Sequence, residues 1–177
     1  MNRQRMGRIA CSIGRTFALL GDPWTPLILR DVFLGIARFD DLAEDLGVSR
    51  KVLAARLRKL VDVELLTKSV YQQHPVRVDY GLTESGRELV VLLLAVMDWG
   101  DRWRAGPQGP PTVLSHRDHV CNAGVMCKSC GEAIVLDEVV AHRGPGGRVG
   151  DGTRLIGTRL AAPFGGRSTR RRTRTSH

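Results

Sequence analysis

Residues 39–60, FDDLAEDLGVSRKVLAARLRKL, hold two amphipathic segments separated by only Gly47, Val48 and Ser49. Phe39, Leu42, Ala43 and Leu46 recur at i, i+3, i+4 and i+7, the spacing of one helix face. Gly47 can take the left-handed backbone that stops this helix, Val48 turns inward, and the Ser49 hydroxyl can cap the helix that follows. A joint this short makes the second helix cross the first, so the pair is expected to fold as a helix-turn-helix. In the second helix Leu53, Leu57 and Leu60 form the buried stripe. That leaves Lys51, Ala55 and Arg58 on the opposite side, with Arg50 and Ala54 on one flank.

The flanking chain supplies what such a pair must pack against. A helix over 12–20 carries Ile13, Phe17 and Leu20 and stops at Gly21. Asp22-Pro23 opens another, with proline where the missing N–H costs nothing, and Trp24, Leu27, Ile28 and Val32 face inward until Gly35. Lys68–Tyr71 and Arg77–Leu82 read as two strands joined by a Gln72-Gln73-His74-Pro75 tip. Thr83 caps a terminal helix running to about Trp103. Its residues 89–97, LVVLLLAVM, are apolar on every side, which predicts one face in the subunit's own core and another against a second copy. The expected fold class is mainly α with a small β-wing: a winged helix-turn-helix domain over 11–105, preceded by a basic arm at 1–10.

Charge is spread unevenly. The net charge of +9 over 177 residues hides a region, 12–103, with 12 Lys/Arg against 13 Asp/Glu, whereas 143–177 has nine arginines and one acid, Asp151. Affinity for a polyanion must therefore come from local placement within the domain. Lys51 and Arg58, with small Ala55 between them, suit a DNA groove: the cations reach phosphates or guanine edges and the alanine permits close approach. Arg38, Ser49, Arg50, Gln73, His74 and Arg77 complete the expected contact set, which makes 50–62 the recognition helix and 72–77 the wing. The run at 89–97 is about half of the ~18 residues a membrane-spanning helix needs, and Arg15 interrupts the only N-terminal apolar run. A cytoplasmic protein with no membrane partner is expected. The chain has no glycine-rich phosphate loop, no nucleophile elbow and no His-x-Glu with Pro-Cys-x-x-Cys, so it is not expected to be an enzyme.

LLGDPWTPLILRD at 19–31, RFDDLAEDLGVSRKVLAARLRKL at 38–60, HPVRVDYGLTESGREL at 74–89 and DWGDRW at 98–103, together with Cys11, resemble the HxlR-type branch of the MarR-like winged-helix transcriptional regulators. The resemblance covers roughly residues 11–103; Pro23 and Val76 depart from the family pattern. It implies a bacterial, nucleoid-associated repressor that pairs through its terminal helices, 83–103, and places one recognition helix per subunit in a palindromic operator. It also implies an unknown inducer, and a sensing role for Cys11, whose thiolate would be the reactive form. A reading of another class keeps the winged helix only as a protein-interaction scaffold without specific DNA binding.

Beyond a Gly/Pro-rich linker at 106–111, Cys121-x5-Cys127-x2-Cys130-Gly131 contains half of a zinc-ribbon pattern. His119 or His116 would complete a structural Cys3His zinc site in an appendage over 112–142; three reduced thiols are the alternative. DNA binding itself requires no cofactor on this reading. The Gly/Arg-rich tail at 143–177 is expected to be basic and disordered.

Overall fold

The computed structural model describes residues 9–150, 152–156 and 160. In chain order they form α1 (Ser12–Leu20), α2 (Trp24–Phe33), α3 (Phe39–Leu46), α4 (Arg50–Asp62), β1 (Leu66–Gln73), β2 (Val76–Leu82) and α5 (Glu84–Arg104). A two-residue hairpin follows, β3 (Ser115–His116) with β4 (His119–Val120), and then a 3-10 turn at Leu136–Glu138. The chain divides into two compact units, one spanning Leu19–Ile134, the other made of described residues up to Ala18 with those from Val135 onward. The division thus falls elsewhere than at the expected 106–111 linker. The larger unit runs past it because Pro111, Thr112 and Leu114 line a cavity wall with α2 and α5. Residues 1–8 of the expected arm and 151, 157–159 and 161–177 of the expected tail lie outside the described residues.

The core of the larger unit is the winged helix-turn-helix. Ile28, Leu29 and Val32 of α2, Leu42 of α3, Leu53, Leu57 and Leu60 of α4, Leu65, Leu66 and Tyr80 of the wing, and Val90 of α5 form one buried cluster. The helix starts are held by polar side chains at the places the sequence indicates. Asp22 Oδ1 accepts the N–H groups of Trp24 and Thr25 at 3.2 and 3.0 Å, and its Oδ2 accepts the Thr25 hydroxyl at 2.8 Å. Thr83 Oγ1 accepts the Gly86 N–H at 3.0 Å and donates to the Glu64 carbonyl at 2.6 Å, which ties the start of α5 to the end of the turn after α4. Gly86 is required there: a Cβ at this position would collide with the Leu65 carbonyl oxygen.

The wing is an antiparallel pair longer than its apolar alternation indicates, Leu66 facing Leu82 at one end and Gln73 facing Val76 at the other. The register shifts between Val70 and Gln72, so Tyr71 is an extra residue in β1. One side chain in α2 departs from the expected apolar stripe: Asp31 is 1% exposed. Burial lifts its carboxyl above the ordinary aspartate range, against the lowering influence of Arg30.

In the smaller unit Thr153 is buried and its hydroxyl donates to the Arg148 carbonyl at 2.9 Å, while the Gly150 N–H donates to the same hydroxyl at 3.1 Å. Gly152 packs against Ile9, whose side chain a Cβ would meet at 2.9 Å.

Candidate nucleic-acid interface

The turn between α3 and α4 forms as its residues require. Gly47 adopts φ 59°, the left-handed conformation that closes α3, and Ser49 Oγ accepts the Val52 N–H at 3.4 Å to open α4. With Leu53, Leu57 and Leu60 buried, Lys51, Ala55 and Arg58 are exposed on the other side of α4. Neither Lys51 nor Arg58 takes part in an ion pair among the described residues. The remaining arginine of the helix interior, Arg56, turns inward: its Nε lies 3.5 Å from the fully buried Asp22 carboxylate, a structural contact between α4 and the start of α2.

Two expected contact residues are engaged inside the subunit. Arg50 sits 2.6 Å from Asp40 Oδ1, with its guanidinium 4.9 Å from the centre of the Phe39 ring. Arg38 lies 4.0 Å from Asp79 Oδ1 and 5.1 Å over the ring of Tyr71, the extra residue of the wing strand. Arg38 therefore joins the start of α3 to the wing, and its backbone also bridges to Asp79. At the wing tip Gln73, His74 and Arg77 are all exposed. The His74–Pro75 peptide is cis, and Gln72 Nε2 donates to the His74 carbonyl at 2.9 Å, closing the tip. All nine expected contact residues are exposed, Arg38 and Arg50 included, although each of these two arginines has a carboxylate beside it. Ser49, Lys51, Ala55 and Arg58 lie on one helix, Gln73, His74 and Arg77 on the hairpin, and Arg38 and Arg50 are paired with carboxylates.

The cysteines lie apart from this surface in sequence and in chemistry. All four are free thiols; Cys11 is half-buried just ahead of α1. Cys127 and Cys130 form a tight knuckle in which the Gly131 N–H donates to the Cys127 carbonyl at 2.7 Å and the Cys127 N–H to Glu132 at 2.8 Å. The backbone N–H groups of Cys130 and Ser129 point at the Cys127 sulfur, and with the Cys130 thiol they hold the Cys127 thiol below its ordinary pKa. Cys121 instead pairs its N–H with the Leu114 carbonyl, and the His116 and His119 rings meet edge to face, 5.5 Å apart, across the β3–β4 hairpin. Among the described residues no three His, Cys, Asp or Glu side chains converge as metal ligands. Of the expected set, Cys127 and Cys130 share the knuckle, whereas His116 and His119 belong to the β3–β4 hairpin and Cys121 directly follows it.

A family model of HxlR-like helix-turn-helix proteins matches residues 19–107. The HTH-type transcriptional regulator Rv3095 of Mycobacterium tuberculosis is 42% identical over 139 residues, which is 76% of this chain and 87% of its own. The HTH-type transcriptional regulator YodB of Bacillus subtilis is 34% identical over 100 residues, 55% of this chain and 89% of its own. Among solved structures, PA1607, described as a candidate transcription factor, superposes with a TM-score of 0.69 at 30% identity, covering 79% of this chain and 99% of that one. The redox regulator HypR in its reduced form reaches 0.50 at 27% identity over 53% of this chain and 94% of its own. The matched span contains the Gly47-Val48-Ser49 joint, the leucine stripe of α4 and the whole wing, and the chain belongs to the HxlR-like helix-turn-helix family of transcriptional regulators.

Proposed function

We propose that this regulator binds a two-fold symmetric operator as a homodimer, with α4 of each subunit in the major groove and the β1–β2 tip against the flanking DNA. The observation that carries the reading is the Lys51, Ala55 and Arg58 face, exposed and without an ion pair, opposite a fully buried leucine stripe. Two cations a little under two turns apart, with a methyl group between them, can reach phosphates and base edges while the helix lies deep in the groove. Support for a dimer comes from α5. Leu92, Val96, Trp99 and Trp103 follow one another at steps of four, three and four residues and are 49%, 58%, 50% and 66% exposed. Such a spacing is one helix stripe, and an apolar stripe of that size in water is a surface for another helix.

Asp40 bears on the same surface, because it holds Arg50 at the N-terminal end of α4. Asp40→Ala is expected to raise affinity for duplex DNA several-fold, as it frees a cation and removes a carboxylate beside the phosphates. Fluorescence anisotropy with a labelled upstream fragment, titrated against salt, measures this. Unchanged or weaker binding would count against α4 as the groove helix.

The likeness to the redox regulator HypR supports a second reading, in which oxidation of Cys11 alters DNA affinity. Cys11→Ser should then abolish the response of DNA binding to hydrogen peroxide. Cys127, the thiol stabilised as thiolate by N–H donors, should be the first alkylated near neutral pH by iodoacetamide, as mass spectrometry would show. A peroxide response that survives in Cys11→Ser and disappears in Cys127→Ser would move the sensing role to the knuckle.

A further inference from the structure

Cys127-Lys128-Ser129-Cys130-Gly131 folds into a closed turn. Met126 and Ala133 bridge as antiparallel partners on either side of it, the Cys127 N–H donates to the Glu132 carbonyl at 2.8 Å, and the Gly131 N–H donates to the Cys127 carbonyl at 2.7 Å. Gly131 takes φ 76°, the left-handed conformation that a side chain would strain, and so turns the chain back toward the first cysteine. The backbone N–H groups of Ser129 and Cys130 are directed at the Cys127 sulfur, and the two thiols are hydrogen-bonded to each other. Two sulfurs thus stand side by side on a turn that its own backbone bonds hold closed. Cys130 is exposed and Cys127 half-buried, so the pair is open to a ligand from solvent. The other soft donors of the segment have surroundings of their own. Cys121 lines a separate cavity with Leu94, Met97 and Arg102 of α5, and His119 Nδ1 lies 2.9 Å from the Val120 carbonyl oxygen with the His116 ring against its own.

We infer that Cys127 and Cys130 form a binding site for a soft monovalent metal ion, copper(I), held between the two sulfurs of one chain. Thiolates select copper(I) by softness, and this ion is satisfied by two sulfur ligands, whereas zinc in a structural site completes a tetrahedron of four. Binding replaces two S–H bonds by two copper–sulfur bonds and releases two protons, which leaves a complex with one net negative charge. Lys128, exposed in the turn between the ligands, brings the opposite charge to the same place. The N–H groups aimed at Cys127 stay on its sulfur when the ion is bound, as the outer hydrogen bonds of metal ligands do, and they hold that ligand in position. Exposure of Cys130 leaves an approach for ligand exchange with an incoming thiol carrier of the ion. This site goes beyond the operator reading and does not depend on it.

The test is a titration of the reduced full chain, without oxygen and without DNA, with copper(I) against the chromophoric competitor bicinchoninate. The protein is expected to withdraw one copper(I) per chain from the competitor, and the bound ion should protect both thiols from iodoacetamide. Cys127→Ser and Cys130→Ser should each weaken binding by at least about a hundredfold, more than the loss of an outer hydrogen bond costs a metal site. Cys121→Ser should leave the affinity unchanged. Thermal melts of the three variants, which the position of these thiols outside the buried core predicts to match the parent, keep a loss of binding distinct from a loss of folding. Failure to compete with bicinchoninate overturns the proposal. So does binding that Cys121→Ser weakens as strongly as Cys127→Ser, the mark of a larger ligand set, or a stoichiometry of one ion per two chains, the mark of a site shared between copies.

Discussion

Replacing Lys51 and Arg58 together with alanine is expected to weaken operator binding by at least about a hundredfold while leaving the melting temperature nearly unchanged. Both side chains leave α4 on the side opposite Leu53, Leu57 and Leu60, and neither is tied to a carboxylate of the subunit. Their loss removes nothing from the core. A groove contact to a base edge is worth about 1–3 kcal/mol, so two of them dominate discrimination without contributing to stability. Arg56→Ala should behave in the opposite way, because Arg56 faces the buried Asp22 carboxylate instead of solvent. It should lower the melting temperature and change DNA affinity only through folding. Anisotropy titrations and thermal melts on the same preparations separate the two effects. A double variant that binds the operator like the parent protein would remove α4 from the interface.

With two subunits paired through α5 as proposed, Trp99→Glu is expected to leave a monomer at micromolar concentration, the dissociation constant raised by about a hundredfold or more. Trp99 sits in the middle of the exposed stripe on α5, between Val96 and Trp103, and its ring already carries the Arg104 guanidinium at 5.6 Å. A carboxylate placed there must lose its water if the stripes of two subunits pack together, which costs several times what the lost tryptophan contacts contribute. Sedimentation velocity reads the assembly state directly. Operator affinity should fall in parallel, because each half-site would then be bound separately. A Trp99→Glu protein that still sediments as a dimer would place the subunit contact on another surface.

What could be read from the sequence was whatever depends on local spacing. The leucine stripe of α4, the Gly47 stop, the Ser49 and Thr83 caps and the exposed positions of Lys51, Ala55 and Arg58 all follow from residues within a turn or two of one another, and the structure has them there. Contacts across elements were not legible in this way. Arg50 looks like a free flank cation until α3 brings Asp40 to it, ten residues away in sequence. Arg38 lies over the ring of Tyr71, the extra residue of the wing bulge, something the alternation of 77–82 does not reveal. Asp31 had a visible signal that periodicity alone passed over. It lies seven residues after Trp24 and three after Ile28, on the inward stripe of α2, where a carboxylate marks a structural pair, here with Arg30. The placement of the cysteines relative to the histidines is likewise a matter of contacts between separate turns. A Cys-x-x-Cys-Gly spacing builds a knuckle by itself, but Cys121 and the two histidines are placed by a different hairpin, with its own hydrogen bonds.

The exposed face of α4, duplicated in a proposed dimer, is expected to select one DNA sequence. A nuclease footprint of the purified protein across the region upstream of its own coding sequence, at physiological salt and with excess competitor duplex, tests this most directly. One or more discrete protected windows with two-fold symmetry are expected, their half-sites centred about ten base pairs apart or a multiple of that, with loss of the windows in the Lys51→Ala, Arg58→Ala double variant. Uniform protection that fades with salt and shows no window, or windows that persist in the double variant, would contradict it.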